Sequence, residues 1–207
     1  MNGKFISIEG IEGAGKSTQM QFIQQYLVQK GIKLVVTREP GGTELGEQIR
    51  RLLLSPREQG MSDDTELLLM FAARAEHIEQ VIRPTLERGD WVLSDRFVDA
   101  TFAYQGGGRG IDVERIQQIA DWTLAGLDTD LTLLFDLPVA LGQSRVLSRK
   151  GDIDRIEQEK ADFFEKIRNC YLRRAQQSPQ RMKVIDASKT IAEIEQQLTP
   201  LLDGLLG

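Results

Sequence analysis

Five short apolar segments recur along the chain and predict the strands of one sheet. Each is five to seven residues long and rich in Val, Ile, Leu and Phe. A continuous apolar run of this length is typical of a strand that is covered on both faces. The five predicted buried strands are Phe5 to Glu9, Lys33 to Thr37, Trp91 to Asp95, Leu131 to Leu137 and Met182 to Asp186.

Amphipathic segments with helical periodicity fill the intervals between these strands. Met20, Ile23 and Leu27 form one apolar stripe, and Gly31 follows at a position suited to end the helix. The other predicted boundaries are a helix start at Ser62 leading into Leu67 to Glu76, a kink or restart at Pro84, a helix from Asp112 through Val113 to Leu124, and helix starts at Pro138 and Thr190.

Strands that alternate with helices predict right-handed crossovers and a parallel sheet with helices on both faces. The fold class is therefore α/β. A chain of 207 residues without internal repeats or linkers is interpreted as a single domain, residues 1–207.

Composition and charge narrow the class of protein. No apolar stretch approaches the ~18 residues of a membrane span, and the first residues lack the pattern of an export signal. Cys170 is the only cysteine, so no internal disulfide is possible, and we expect a soluble protein of the reducing cytoplasm. A net charge of −5 disfavours broad adhesion to nucleic acid or membranes, so any bound anion must be held locally.

The strongest motif follows the first strand directly. It fits the phosphate-binding pattern G-x-x-x-x-G-K-[ST] between a strand and a helix, which is the context that this pattern requires. Its residues are Gly10, Ile11, Glu12, Gly13, Ala14, Gly15, Lys16, Ser17 and Thr18. Backbone N–H groups and Lys16 would hold the phosphates, and Ser17 could ligate Mg²⁺, so we expect a nucleoside triphosphate here.

Two carboxylates are candidates for a second magnesium contact. Asp95 and Asp136 both stand at the end of a predicted strand, where ligands of open α/β sheets gather. Strand chemistry alone does not choose between them. The adjacent Arg96 favours Asp95.

Three arginines suggest a second phosphate site. Arg38 follows the second strand, Arg74 lies on the helix after Phe71, and Arg96 follows the third strand. Each alone is typical of a solvated charge, but several guanidiniums in one crevice repel each other unless an anion joins them. Phe71 fits either the core or a platform for a base.

A basic segment near residues 143–157 has two interpretations. Arg145, Arg149, Lys150 and Arg155 are either a solvated helix end or a mobile lid, hinged at Gly151, that carries arginines to the transferred phosphoryl group. Gly106 to Gly110 is interpreted as a flexible loop whose glycines allow close packing or movement.

Together these motifs resemble bacterial thymidylate kinases over essentially the whole chain. The resemblance rests on the phosphate loop with Glu12, Thr37-Arg38-Glu39-Pro40-Gly41-Gly42-Thr43, Phe71-Ala72-Ala73-Arg74, Asp95-Arg96-Phe97 and Tyr104-Gln105-Gly106-Gly107-Gly108. It implies the P-loop kinase fold with five parallel strands and a mobile lid. It also implies a homodimer and Mg²⁺-dependent transfer of the ATP γ-phosphoryl group to dTMP, giving dTDP.

The resemblance further implies a role for each matching residue. Phe71 would stack on thymine, Arg74 and Gln105 would hydrogen-bond its edge, and Thr101 would border it. Arg38 and Arg96 would hold the acceptor phosphate, Glu12 would meet the 3′-hydroxyl, and Tyr104 would crowd a 2′-hydroxyl. The catalytic residues would be Lys16, Asp95, Arg96 and two lid arginines, Arg149 and Arg155. The lid arginines would take the place of the basic residue that some relatives carry where this chain has Gly13.

Two rival functions share some of these features. A GTPase-like switch would use the same phosphate loop, but neither an Asn-Lys-x-Asp nor an Asp-x-x-Gly motif is found. Another kinase, such as a deoxynucleoside kinase, would need a carboxylate base, for which Glu39 or Asp95 could serve. A phosphate acceptor is already largely dianionic at pH 7 and needs no base, so the single histidine, His77, is interpreted as structural.

Overall fold

The computed structural model describes residues 3–55, 60–148 and 154–207. Its sheet has five parallel strands in the order β2-β3-β1-β4-β5. The strands are β1 (Phe5–Glu9), β2 (Leu34–Arg38), β3 (Trp91–Asp95), β4 (Leu131–Asp136) and β5 (Met182–Asp186). The α/β class and all five predicted strands are confirmed, with boundaries that move by about one residue.

The prediction that every strand is buried was wrong for β2 and β5. The three central strands are buried almost throughout, whereas Val36 of β2 is 39% exposed and Val184 of β5 is 48% exposed. These two strands form the edges of the sheet, so each has a neighbour on one side only and is less completely covered. An apolar composition alone does not distinguish a central strand from an edge strand.

Nine α-helices lie in the described part of the chain. They are α1 (Lys16–Gln29), α2 (Glu44–Leu54), α3 (Asp63–His77), α4 (Arg83–Glu87), α5 (Val98–Thr101), α6 (Val113–Leu124), α7 (Val139–Ser148), α8 (Ala161–Gln177) and α9 (Ile191–Leu206). The predicted caps Ser62, Asp112 and Thr190 each accept a hydrogen bond from the backbone of the helix that follows. A π-helical segment, Ile78–Ile82, separates α3 from α4, so Pro84 lies where the α-helix restarts.

The core lies on both faces of the sheet. Along β1, Ile6 and Ile8 pack into one cluster with α1, α8 and α9, whereas Phe5 packs into a second cluster with α3 and α6. Successive side chains of a strand point to opposite faces, which explains the alternation. A fully buried side chain of this size contributes about 1.5–3 kcal/mol relative to an exposed one. The coverage predicted for both faces is confirmed.

The glycines after Gln105 do not form a loop. Phe102–Gly108 is a π-helical segment packed against α8. A Cβ on Gly107 would lie 2.7 Å from the Cβ of Cys170, and one on Gly108 would lie 2.5 Å from Cε2 of Phe163. The prediction of a flexible loop was therefore wrong for these glycines. They allow close packing, which fixes the neighbouring Tyr104 and Gln105.

The predicted lid, residues 143–157, is described only in part. Residues 143–148 belong to α7 and residues 154–157 are described, whereas Arg149, Lys150 and Gly151 lie outside the described residues. Among the described helices, none has the length and apolar character that crossing a membrane requires.

Candidate active site

The phosphate loop joins β1 to α1 in the geometry that its sequence predicts. Gly10, Gly13 and Gly15 have φ values of 136°, 77° and 79°, which a residue with a side chain rarely adopts. A Cβ on Gly13 would also lie 2.2 Å from the carbonyl oxygen of Gly142. Glycines are therefore required by the backbone conformation itself. The loop leads into the N-terminus of α1, where unpaired N–H groups favour an anion.

The side chain of Lys16 turns back onto the carbonyl oxygens of this loop. Its Nζ donates hydrogen bonds to the carbonyl oxygens of Gly10 at 2.9 Å and Ile11 at 3.0 Å. Burial, with the positive charge of Arg96, lowers the pKa of Lys16 to about 8. A phosphate group beside Lys16 would add negative charge and so favour the protonated, positively charged lysine.

Asp95 and Asp136, which the sequence leaves nearly equivalent, have different partners. Asp136 accepts two hydrogen bonds from Arg168, at 2.7 and 2.9 Å. The Oδ1 atom of Asp95 is buried and accepts no hydrogen bond from the described part of the chain. A buried carboxylate oxygen without a partner is costly unless a ligand contacts it. The unpartnered oxygen favours Asp95 as the carboxylate for a hard divalent cation. The adjacent Arg96 favours the same residue in the sequence.

Arg96 stands between the phosphate loop and a neighbouring cleft. Its Nη2 donates to Oε1 of Glu12 at 2.7 Å, to the Tyr104 hydroxyl at 2.9 Å and to the Gly10 carbonyl at 3.4 Å. Its backbone has a φ of 70°, in the left-handed region that disfavours residues other than glycine. Strain of this kind is common where a side chain must be aimed at a ligand.

The neighbouring cleft lies beside Arg96 and is partly open to solvent. Six side chains predicted to bind substrate line it, namely Glu12, Arg74, Arg96, Thr101, Tyr104 and Gln105. Residues that are distant in sequence thus meet at one place, as the resemblance implies.

Arg74 is held rigidly at the wall of the cleft. Its guanidinium is 2% exposed and donates to Oε2 of Glu39 at 2.8 Å, to Oγ1 of Thr101 at 3.0 Å and to the carbonyl of Phe97 at 3.1 Å. The other oxygen of Glu39 accepts from Nδ1 of His77 at 2.9 Å. The buried His77 thus orients a carboxylate, as a structural residue would.

Two predicted binding residues, Phe71 and Arg38, do not line this cleft. Phe71 is 3% exposed and does not line the cleft, although its ring lies 5.0 Å from the Arg74 guanidinium; Met70 lines the cleft instead. Arg38 is exposed, pairs with Glu47 at 2.9 Å and lines a separate groove that also contains Asp95.

Sequence reasoning missed Arg50, which lines the cleft. Burial and the charges of Arg38 and Arg96 lower the pKa of Arg50, so these three cations lie within electrostatic reach of one another. A single arginine in an amphipathic helix carries no distinctive signal. Its role becomes visible only when α2 is packed beside the cleft.

Within the described part of the lid, Arg155 contacts α2 and α3. Arg155 donates to Oε2 of Glu66 at 2.5 Å and to the carbonyl of Leu53 at 2.8 Å. Asp154 and Ile156 line the cleft, so this segment closes one side of it. Arg145 of α7 does reach the loop, donating to the Gly13 carbonyl at 3.3 Å.

A P-loop on a parallel five-stranded sheet, facing a cleft that is rich in arginine, defines the class of P-loop kinases. Comparison with known proteins gives the family. The profile of the family described as "Thymidylate kinase" matches residues 8–198. The chain belongs to the thymidylate kinase family.

Individual relatives support this assignment over the whole chain. A thymidylate kinase of Ruthia magnifica is 60% identical over 98% of both chains, and one of Ectopseudomonas mendocina is 53% identical over 100% of this chain and 98% of its own. The solved thymidylate kinase of Ehrlichia chaffeensis superposes with a TM-score of 0.80 at 31% identity, covering 98% of this chain and 100% of its own. The resemblance seen in the motifs is thereby confirmed.

Proposed function

We propose that this protein transfers the γ-phosphoryl group of ATP directly to dTMP, giving dTDP for nucleotide biosynthesis. Membership of the thymidylate kinase family identifies it as a nucleoside monophosphate kinase that acts on dTMP. One observation carries the proposed geometry of transfer: Arg96 contacts the phosphate loop at Gly10 and the cleft at Glu12 and Tyr104. A cation at this junction can contact the phosphates of both substrates.

The cleft supplies groups for each part of dTMP. Arg96 and Arg50 would hold its phosphate, with Arg38 in the adjoining groove. Arg74 and Gln105 would meet the polar edge of thymine, and Thr101 would border it. Stacking of the base on Phe71 stays a prediction, since Met70 is the neighbouring side chain that lines the cleft.

The sugar would lie between Glu12 and Tyr104. The Tyr104 hydroxyl donates to the carboxylate of Glu12, with oxygen–oxygen distances of 2.8 and 2.9 Å. This contact holds the phenol ring in one position, where it would crowd a 2′-hydroxyl. Glu12 keeps acceptor capacity for a 3′-hydroxyl, because an ionised carboxylate offers about four lone-pair sites.

Phosphoryl transfer here needs charge neutralisation and alignment more than proton transfer. A phosphate monoester has a second pKa near ~6, so the attacking oxygen of dTMP is already a nucleophile at pH 7. Lys16 and Arg96 would stabilise the charge on the transferred group, and the backbone N–H groups of the loop would fix the donor. This supports a phosphorylated acceptor over a nucleoside, because Glu39, one candidate base, is bound to Arg74 and His77.

Ser17 and Asp95 are the residues that would hold Mg²⁺. Ser17 is exposed at the start of α1, and the buried Oδ1 of Asp95 has no partner in the described part of the chain. Mg²⁺ in phosphate-transferring sites is typically held by one or two side chains together with the substrate phosphates, which matches a site of Ser17 and Asp95. When bound, Mg²⁺ neutralises charge on the donor phosphates.

Two lid arginines complete the proposed catalytic set. Arg155 would have to exchange Glu66 for a phosphoryl oxygen in order to act there. The role of Arg149 rests on its place in the sequence alone.

The deciding experiment measures turnover with ATP against a panel of nucleosides and nucleoside monophosphates, with Mg²⁺ and with excess chelator. We expect dTMP to be the best acceptor and the chelator to abolish turnover. Phosphorylation of thymidine but not dTMP would establish the rival deoxynucleoside kinase. Hydrolysis of GTP without any acceptor would establish the switch.

Homodimer formation in the cytoplasm is the remaining part of the proposal. Leu68 of α3 is 58% exposed and Trp122 of α6 is 84% exposed, and these two helices contact each other. Exposed apolar side chains mark an interface where they join into one contiguous patch, which we propose for these two helices. Sedimentation of the wild type and Trp122→Asp tests it: we expect a dimer that the substitution weakens, whereas a monomeric wild type would contradict it.

A further inference from the structure

Glu66 is a buried carboxylate that no step of the proposed reaction uses. It lies in the first turn of α3, where it is only 1% exposed. Its Oε1 accepts a hydrogen bond from Nε2 of Gln105 at 2.8 Å. Arg109 and Arg155 also donate to it, so one acid is surrounded by three donor side chains.

These partners keep Glu66 ionised. Burial by itself raises the pKa of this carboxyl group. The hydrogen bonds from Gln105 and Arg155 and the charges of Arg109 and Arg155 outweigh burial, so the pKa of Glu66 is lowered. An ionised carboxylate accepts hydrogen bonds and donates none.

An acceptor-only neighbour fixes which way the Gln105 carboxamide points. The NH₂ end must face Glu66, because the carbonyl end would meet another acceptor there. Gln105 lines the cleft, and the nitrogen end of its carboxamide is the end that is bound to Glu66. The oxygen is therefore the atom that Gln105 offers to a ligand.

The side chains of Gln105 and Arg74 together suit one hydrogen-bonding edge of a pyrimidine base. Gln105 offers an acceptor, and the nearby Arg74 offers only donors. A pyrimidine with N3–H beside a 4-oxo group, as in thymine and uracil, matches an acceptor next to a donor. Cytosine carries an unprotonated N3 and a 4-amino group, so its acceptor would face the acceptor of Gln105 and its donor would face the donors of Arg74.

We propose that Glu66 is a positioning residue for base selectivity, which fixes the Gln105 carboxamide so that the cleft accepts a 4-oxo, N3–H pyrimidine and rejects cytosine. This inference rests on the proposed function and deepens it. Glu66 lies behind Gln105 and need not touch the substrate. It acts by removing the alternative orientation of one amide.

The test compares kcat/KM for dTMP and dCMP in Glu66→Gln. A glutamine at this position can donate as well as accept, so the Gln105 amide becomes free to turn its NH₂ toward cytosine N3. We expect the dTMP-to-dCMP ratio to fall about tenfold. If the substitution only reduced stability or local order, kcat/KM would fall equally for dTMP and dCMP, and their ratio would stay at the wild-type value. An unchanged ratio in the folded variant would overturn the proposal.

Three further variants make the test specific. Glu159→Gln removes a different carboxylate that pairs with Arg109, one with no hydrogen bond to Gln105 among the described residues, so we expect an unchanged ratio. Gln105→Met keeps Glu66 with both arginines and should lose the same selectivity, which keeps the proposal testable if Glu66→Gln does not fold. In the Gln105→Met background, Glu66→Gln should change the ratio no further, and an additive effect would contradict the mechanism.

The outcome is separable from that of the proposed function. If the wild type does not phosphorylate dTMP, the proposed function fails. If it does so and Gln105→Met or a folded Glu66→Gln keeps full selectivity, only the role of Glu66 fails.

Discussion

The phosphate loop and the acceptor cleft lie side by side but are built in different ways. The loop motif is nine consecutive residues, from Gly10 directly after β1 to Thr18 in the first turn of α1, and its shape comes from glycines with positive φ values. The cleft gathers side chains from residue 12 to residue 156, and their positions come from contacts between distant residues. Glu39 holds Arg74, Glu12 holds Arg96 and Tyr104, and Glu66 holds Gln105.

This difference implies different consequences of substitution. A phosphate loop binds through backbone groups, which most substitutions leave in place, so its single side-chain cation carries an unusually large share of the chemistry. The cleft binds through side chains held by other side chains. A change there should alter the selection of the acceptor as well as the rate, because each partner that is lost frees another group.

The largest effect is expected for Lys16→Ala. The substitution removes a charge beside the transferred phosphoryl group and should lower kcat by about 10³-fold or more. In the described structure the Lys16 side chain donates hydrogen bonds only to two loop carbonyls, so the fold should persist without it. Single-turnover rates, with circular dichroism as the control, check this. Near-normal turnover of a folded variant would remove Lys16 from the mechanism.

Arg96 links the two regions, and its replacement should affect both. Arg96→Ala should reduce transition-state stabilisation by about 2–5 kcal/mol, measured as kcat/KM for dTMP. Arg96→Gly removes the same guanidinium but suits a φ of 70°, so it should be about 1 kcal/mol more stable than the alanine variant and equally inactive. Unchanged kcat/KM would place Arg96 outside the site.

Tyr104 isolates selectivity within the cleft. Tyr104→Ala should open space beside the sugar and lower the ratio of kcat/KM for dTMP over ribothymidine monophosphate by roughly 10–100-fold. Tyr104→Phe keeps the ring and should stay near the wild-type ratio, although it loses the hydroxyl contact to Glu12. Thermal unfolding of all three proteins controls for the loss of a buried aromatic ring. If Tyr104→Ala discriminates as the wild type does, the sugar is recognised elsewhere.

The smallest effect concerns Glu9, a fully buried acid at the end of β1. It accepts from the Phe97 N–H at 2.8 Å and from the Tyr171 hydroxyl at 2.7 Å, and so ties the strand before the phosphate loop to the strand end at the cleft. Burial, with the negative charge of Asp99, raises its pKa from 4.5 to about 8. The folded protein therefore holds a proton here that the unfolded chain releases.

A raised pKa gives a definite sign to the dependence of stability on pH. The contribution of Glu9 is fully present below pH 4.5 and is lost as the pH rises through about 8. Between pH 6.5 and 7.5 the free energy of unfolding of the wild type should fall by about 1 kcal/mol relative to that of Glu9→Gln, which cannot ionise. Urea unfolding at both pH values measures the difference. Parallel pH profiles of the two proteins would show that Glu9 does not titrate in this range.

Local features of the chain were sufficient to predict much of this molecule. The strands, the caps at Ser62, Asp112 and Thr190, and the phosphate loop depend on residues close in sequence, so they could be recognised directly. The assignment of the edge strands could not, because β2 and β5 differ from the central strands only in what lies beside them. The glycines after Gln105 were misjudged for the same reason, since only packing against α8 shows why side chains are excluded.

The sequence by itself determined the fold class, the donor loop and, through its motifs, the family. Only the tertiary structure shows how the partners of Asp95 and Asp136 differ: Arg168, far along the chain, pairs with Asp136, whereas the buried Oδ1 of Asp95 accepts no hydrogen bond from the described residues. It also brought Arg50 to the cleft and Glu66 behind Gln105. The physical reason is one of range: backbone conformation and capping depend on near neighbours, whereas the charge state and orientation of a buried polar group depend on every element packed around it.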